Sequence, residues 1–231
     1  MRVVFVHGAC VTDGAWWWHR SAELLARRGV ASVAPALPSC GETGAAPAAE
    51  GPGLAADVAA VRAALRAGDE PTVVVAHSYG GIVTAEAAAG VDSVRHLLFV
   101  SSYLPEVGQS LASFGSKEPA PFLEVDAEKG RFTVRGDALA ETFLQDCDRR
   151  LQQEALDKTA WQSLAVLAQP VRAAAWQHLP STYLVCAADR GTPAQRQREF
   201  ARRAGSVVEI DAGHHPFISR PDFVGDLVME L

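Results

Sequence analysis

No stretch of the chain approaches eighteen consecutive apolar residues, so none is long enough to cross a bilayer as a helix, and no membrane partner is expected. Nothing like a charged n-region followed by an apolar core precedes the opening run "MRVVFVHG", which makes a cytoplasmic location the expectation. Cysteine is sparse: Cys10, Cys40, Cys147 and Cys186 are far apart, with no C-x-x-C pair and no histidine at metal-ligand spacing, so reduced structural thiols and no metal are expected. Basic clusters are lacking too. The net charge is −6 and the Arg and Lys residues are scattered, which leaves no electrostatic footprint for nucleic acid. Arginine far outnumbers lysine and alanine is abundant, as in a GC-rich bacterial genome. No internal repeat is visible.

What remains is an ordinary globular composition, 48% apolar and 21% charged over 231 residues. That length suits a single α/β domain, residues 1–231. Continuous apolar runs recur at "VVFVH" (3–7), "ASVAPAL" (31–37), "TVVVAH" (72–77), "HLLFVS" (96–101), "TYLVC" (182–186) and "VVEI" (207–210), a pattern of parallel strands buried on both faces. Helical stripes lie between them. Leu54, Val58, Val61 and Leu65 form one, and Trp17, Ala22, Leu24 and Leu25 form another that ends at Gly29. The fold class is therefore α/β, a mostly parallel doubly wound sheet of about six strands. The Gly/Pro-rich stretch 39–53 reads as a surface loop, with a gate as the minor alternative. About 105–178 interrupts the alternation after the fourth strand. Within it "DALAETFLQDCDRRLQQEALDKTAWQSL" reads as one or two helices with Leu139, Phe143, Leu151 and Leu156 inward, which predicts a helical cap at the carboxyl end of the sheet.

The chemistry is concentrated at strand ends. In "TVVVAHSYGGIVTAEAAA" a buried strand runs directly into a helix, with Ser78 at the junction and Gly80 and Gly81 giving the room that a nucleophile turn needs; Ala76 stands where the motif has its first glycine. A serine capping a helix is the plainer alternative. Two further groups raise the nucleophile reading. "LVCAADRGTP" ends a strand with Asp189, and "VEIDAGHHPFISRP" ends the last strand with His214 and His215, giving the chain order Ser, Asp, His at three strand ends. Asp211 is the alternative acid and His215 the alternative base. His77 should point away from the serine by strand alternation, and it, His7, His19, His96 and His178 are read as structural. Two backbone N–H groups should hold an oxyanion: that of Tyr79, at the start of the helix, and that of Ala9, after the "HG" turn.

With "FVHGAC", "HSYGG", "LLFVSSYLPEVGQSL", "STYLVCAADRGTP" and "DAGHHPFISRP" in place, the chain resembles the α/β-hydrolases, in the branch of plant methyl esterases and hydroxynitrile lyases and their bacterial relatives. The resemblance covers nearly the whole chain and implies the α/β-hydrolase fold with a cap beginning after Ser101. It also implies Ser78 as nucleophile, His214 as base, Asp189 as acid, and Ala9 with Tyr79 as the oxyanion hole. The branch's lyases have threonine where this chain has Gly8 and lysine where it has His215, so the resemblance implies ester hydrolysis rather than cyanohydrin cleavage.

The expected reaction is acyl transfer to water through an acyl-enzyme, without a cofactor, and a neutral histidine base predicts falling activity below roughly pH 6 to 6.5. The expected partner is a small-molecule substrate, an apolar or aromatic ester of modest size; a homodimer is left open. Cys10, Trp17, Phe114, Phe122, Phe143, Trp161 and His215 are the expected pocket residues, with Trp16 to Trp18 near its mouth. Two alternatives use the same triad: cofactor-free biosynthetic chemistry (cyclisation, decarboxylation or C–C cleavage), and thioester hydrolysis. A receptor that has lost the chemistry is a third, opposed by the intact triad.

Overall fold

The structure, a computed structural model, describes residues 1–115 and 118–231. The chain runs through β1 (Arg2–Val6), α1 (Gly14–Arg27), β2 (Ala31–Val33), α2 (Leu54–Arg66), β3 (Thr72–His77), α3 (Gly80–Ala87) and β4 (Val94–Val100) before it leaves the core. The excursion holds β5 (Leu123–Asp126), β6 (Arg131–Val134), the single turn α4 (Gly136–Ala138), α5 (Arg149–Leu156), β7 (Gln162–Ser163) and α6 (Ala165–Ala168). The core resumes with β8 (Ser181–Cys186), α7 (Ala194–Ala201), β9 (Ser206–Ile210), α8 (Pro216–Ser219) and α9 (Pro221–Met229).

Six strands form one sheet in the order β2-β1-β3-β4-β8-β9, and every neighbouring pair is parallel. β3 and β8 are buried at every residue, because helices cover both faces of the central sheet. The expectation of burial on both faces fails at the two edges. β2 is exposed throughout, and Val207 of β9 is 52% exposed. An edge strand has a neighbour on one side only and lies at the margin of the helix layers, so apolar composition alone does not bury it.

The first helix stripe falls inward as its spacing predicts: Leu54, Val58, Val61 and Leu65 are buried in one core layer with Val74, Ile82 and Phe99. Of the second, Trp17 and Leu25 join Trp18, Phe5, Phe217 and Val224 in the other layer, while Ala22 and Leu24 are half-buried. Asp13 caps α1 by accepting the N–H of Trp16 at 3.1 Å, and Gly29 follows its end with φ 77°, the left-handed conformation that glycine adopts freely.

The excursion expected as a cap contains helices and, in addition, a sheet that the helical expectation lacked. β5, β6 and β7 pair antiparallel. "DALAETFLQD" forms α4 and a π-turn over Leu139–Phe143, then α5 follows, and the downstream "KTAWQS" is not helical: it leaves α5 by a turn, bridges Val11 at Thr159 and ends in β7. Leu139, Phe143 and Leu151 are buried as expected, and Leu156 is half-buried. Loop 39–53 lies against this cap: Ser163 Oγ accepts the N–H of Ala48 at 3.2 Å, and a β-carbon on Gly130 would meet the backbone of Ala49 at 2.4 Å.

Candidate active site

β3 delivers Ser78 to the carboxyl edge of the sheet in a strained conformation. Its φ is 50°, which for a residue with a β-carbon costs on the order of 1–3 kcal/mol and persists only when its surroundings enforce it. They do so at three points. Ser78 donates its N–H to Val100 O at 3.3 Å, and its carbonyl accepts the Ser102 hydroxyl at 2.7 Å and the Gly81 N–H at 3.1 Å. The two glycines after it are needed sterically: a β-carbon at position 80 would lie 2.5 Å from Val6 O, and one at position 81 would lie 2.3 Å from Tyr103 O. Ala76 causes no conflict, since its methyl is fully buried in the core layer with Val74 and Ile82.

The loops after β8 and β9 bring Asp189 and His214 together. His214 Nδ1 lies 2.7 Å from Asp189 Oδ2, with both side chains buried. The other oxygen of that carboxylate accepts the N–H groups of Gly191 and Thr192 at 2.8 and 3.0 Å. Burial alone would raise the Asp189 pKa. The adjoining His214 and the hydrogen bonds from His214, Ser101 and Thr192 outweigh burial and hold the carboxyl below its ordinary value. Asp211, the alternative acid, is exposed.

Ser78 and His214 line one cavity of about 400 Å³, together with Ala9, Cys10, Trp17, Tyr79, Phe122, Phe143 and His215. The remaining walls are mostly apolar cap residues, among them Leu123, Phe132, Val134, Leu139, Leu164 and Leu167. Two expected pocket residues lie elsewhere. Phe114 packs on Tyr103 and Phe200, and Trp161 lies under the guanidinium of Arg131, 4.3 Å from the ring centroid. In each case a nearer partner, aromatic or cationic, takes the ring away from the cavity. Of the three tryptophans on α1, Trp17 lines the cavity, while Trp18 is stacked between Phe5 and Phe217 in the core.

His77 does not point away from the site. It lines the cavity, its ring centroid is 4.5 Å from that of His214, and its Nε2 bonds the backbone carbonyl of His214 at 3.0 Å. Strand alternation holds, placing His77 on the face of Val73 and Val75 against Trp18 and Phe217, but at the carboxyl edge of the sheet that face opens onto the cavity and His214. His215 donates from Nδ1 to Phe143 O at 2.9 Å and lies against Trp17. Burial, reinforced by the neighbouring histidines, pushes the His77 pKa well down, and burial with His214 beside it pushes that of His215 down to about 3. Both rings are neutral at ordinary pH. His7 bridges Gly8 O at 2.9 Å and Glu42 Oε2 at 3.0 Å, bracing the turn before Ala9. Gly8 itself is tightly placed, since a β-carbon there would lie 3.0 Å from His77 Nδ1 and 3.1 Å from Ser78 Cβ.

Three contributors were missed in the sequence. Ser101, at φ 41° just after β4, donates its hydroxyl to Asp189 Oδ2 and lies 3.1 Å from His214 Nδ1. Gln197 Nε2 reaches the same carboxylate oxygen at 2.9 Å. Asp146 of the cap accepts the N–H of Gly213 at 2.7 Å, anchoring the turn that presents His214. Only Ser101 carried a local signal, a polar residue directly after a buried strand. Among the described residues, no group of three or more His, Cys, Asp or Glu is arranged to hold a metal ion.

A parallel sheet with Ser, Asp and His just past the carboxyl ends of β3, β8 and β9 is the architecture of the α/β-hydrolases, and the profile of the alpha/beta hydrolase family matches residues 3–227. The chain belongs to that family. It is 30% identical over 186 residues to an alpha/beta hydrolase, nvfD, of Aspergillus novofumigatus, covering 73% of this chain and 74% of that protein. Among solved structures it is similar to a pyrethroid hydrolase of Sphingobium faniae (TM-score 0.85, 20% identity, 100% of this chain and 96% of that one). It is also similar to polyneuridine aldehyde esterase (TM-score 0.82, 22% identity, 99% and 98%). At these identities the structural likeness shows a shared fold. Among the described residues, no helix is long and apolar enough to cross a membrane.

Proposed function

We propose that this hydrolase is a serine carboxylesterase acting on a small to medium apolar or aromatic ester. The observation that carries the reading is that one cavity is lined both by a left-handed Ser78 and by a His214 whose Nδ1 is held by Asp189 at 2.7 Å. With Nδ1 donating to the carboxylate, Nε2 is the unprotonated nitrogen, available to take a proton from Ser78 as its oxygen attacks the substrate carbonyl. Asp189 then balances the imidazolium. The N–H groups of Ala9 and Tyr79 receive the oxyanion, His214 returns the proton to the departing alcohol, and water hydrolyses the acyl-enzyme by the same steps in reverse.

The cavity supports the substrate class. A volume of about 400 Å³ falls in the range of about 300–1,000 Å³ that drug-sized ligands occupy, and its apolar cap walls favour an uncharged hydrocarbon or aromatic group. The decisive experiment combines fluorophosphonate labelling, peptide mass spectrometry and turnover of short p-nitrophenyl esters. Labelling at Ser78 and a Ser78→Ala loss of about 10⁴- to 10⁶-fold in kcat are expected. An unlabelled Ser78 in an active protein, or full activity in Ser78→Ala, overturns the proposal. Labelling without ester turnover points instead to the biosynthetic reading.

A further inference from the structure

The turn that carries Ala9 is braced on its near side by His7 and on its far side by the segment around β7. Cys10, the next residue, stands at φ 59°, again a left-handed conformation for a residue with a β-carbon. The chain segment just before and within β7 clasps it from both sides. Cys10 N–H donates to Gln162 Oε1 at 3.0 Å, Cys10 O accepts the N–H of Ala160 at 2.8 Å, and Thr12 N–H donates to Lys158 O at 2.8 Å. Val11 and Thr159 form an antiparallel bridge between these bonds.

Gln162 also continues inward. Its Nε2 donates to Ser39 Oγ at 2.9 Å; Ser39 donates its hydroxyl and its N–H to the two oxygens of Asp57 at 2.6 and 2.9 Å; and the hydroxyl of Tyr79 donates to Asp57 Oδ2 at 2.7 Å. Gln162, Ser39, Asp57 and Tyr79 are all fully buried. The bonds converge on Asp57 from both ends, and because Ser39 gives its hydroxyl hydrogen to Asp57, only the amide nitrogen of Gln162 can face Ser39 Oγ, which sets the orientation of the Gln162 amide. A single chain of hydrogen bonds thus joins the residue after Ala9 to the side chain of Tyr79. Ala9, whose neighbour Cys10 begins this chain, and Tyr79, at its other end, are the proposed oxyanion donors.

We infer that Gln162 is a positioning residue which sets the spacing of the Ala9 and Tyr79 N–H groups, so that the cap completes the oxyanion hole as well as roofing the pocket. The inference rests on the serine-esterase reading above. Without the amide, Cys10 loses the acceptor on its N–H, one of the bonds that hold its strained conformation, and the turn relaxes about the remaining Cys10 O and Thr12 bonds, taking the Ala9 N–H with it. A displacement on the order of 1 Å at such a donor is enough to cost about 100-fold in rate. Because the oxyanion exists only after attack, the loss belongs to kcat rather than to substrate binding.

The test uses the full-length protein, with Gln162→Leu as the main variant and Ser39→Ala as a milder one that cuts the link to Asp57 but leaves the Cys10 bond. Gln162→Leu is expected to lower kcat for p-nitrophenyl butyrate about 10- to 100-fold with KM changed less than about threefold. Ser39→Ala is expected to give a smaller loss of the same kind. A trifluoromethyl ketone, which forms an oxyanion adduct with the serine, should weaken in step with kcat/KM, while the matching carbinol, which forms none, binds as before. If Gln162→Leu does not fold, Ser39→Ala decides by the same readouts. Folded variants with unchanged kcat, or with ketone and carbinol weakened equally, overturn the inference while leaving the esterase reading intact. A wild-type Ser78 that takes no fluorophosphonate sinks the esterase reading and the inference with it.

Discussion

Ser101 donates its hydroxyl to the same oxygen of Asp189 that holds His214, so the carboxylate between β8 and α7 is shared by a strand end that no triad motif includes. Gln197 adds a third bond to that oxygen at 2.9 Å. Removing one hydrogen bond to a buried charge costs about 1.5–3 kcal/mol. Ser101→Ala should therefore slow ester turnover and fluorophosphonate labelling together, by about tenfold, because Asp189 then holds His214 less firmly. Unchanged rates in a folded Ser101→Ala protein would show that the bond is purely structural.

Gly80 is a packing requirement. A β-carbon there would meet backbone oxygens of Val6 and His7 at 2.5 and 2.7 Å, and neither can move without disturbing β1. Gly80→Ala should cost about 1–3 kcal/mol, a drop of several degrees in Tm. Gly136→Ala is the control, since its β-carbon would meet nothing nearer than 3.6 Å. Equal Tm values for the two variants would contradict the geometry.

Acid should destabilise the fold through its buried histidines. His215 has its pKa pushed from about 6.5 down to about 3, and His77 is shifted in the same direction. In that window the unfolded chain binds protons that the folded chain refuses. Stability is therefore complete above about pH 6.5 and falls as the pH drops toward 3, by at most about 1.4 kcal/mol per pH unit for each such histidine. Urea midpoints measured from pH 7 to pH 5 should decline, and less steeply in His215→Gln. A flat wild-type curve would mean that these rings are not held neutral.

Substrate preference should follow the cavity walls rather than aromatic content. Phe132 lines the cavity and Trp161 does not. Phe132→Ala is expected to raise kcat/KM for an octanoate ester relative to a butyrate ester by about 3- to 10-fold, within the range that one or two methylenes provide. Trp161→Ala should leave that ratio within about twofold. The reverse result would place the acyl group outside this cavity.

The sequence by itself determined the parallel α/β core, because buried strands and amphipathic helices leave periodic apolar marks that need no partner to be read. It also placed Ser78, Asp189 and His214 at strand ends, since their order along the chain and the glycines at 80, 81 and 213 are local features. The cap sheet was legible in principle: "FLEVDAEKGRFTV" alternates apolar and polar residues around a turn, but the helical pattern after it dominated the reading.

The tertiary structure alone decided which groups meet across long separations. Ser101 lies 88 residues from Asp189, and Cys10 lies 152 from Gln162. A single polar residue has no periodicity, so its partner depends on how distant loops converge at the sheet edge. Convergence of distant segments likewise set Trp161 under Arg131, thirty residues earlier in the chain. Apolar pattern is written along the chain, whereas a buried hydrogen bond is a property of the three-dimensional neighbourhood and exists only once the chain has folded.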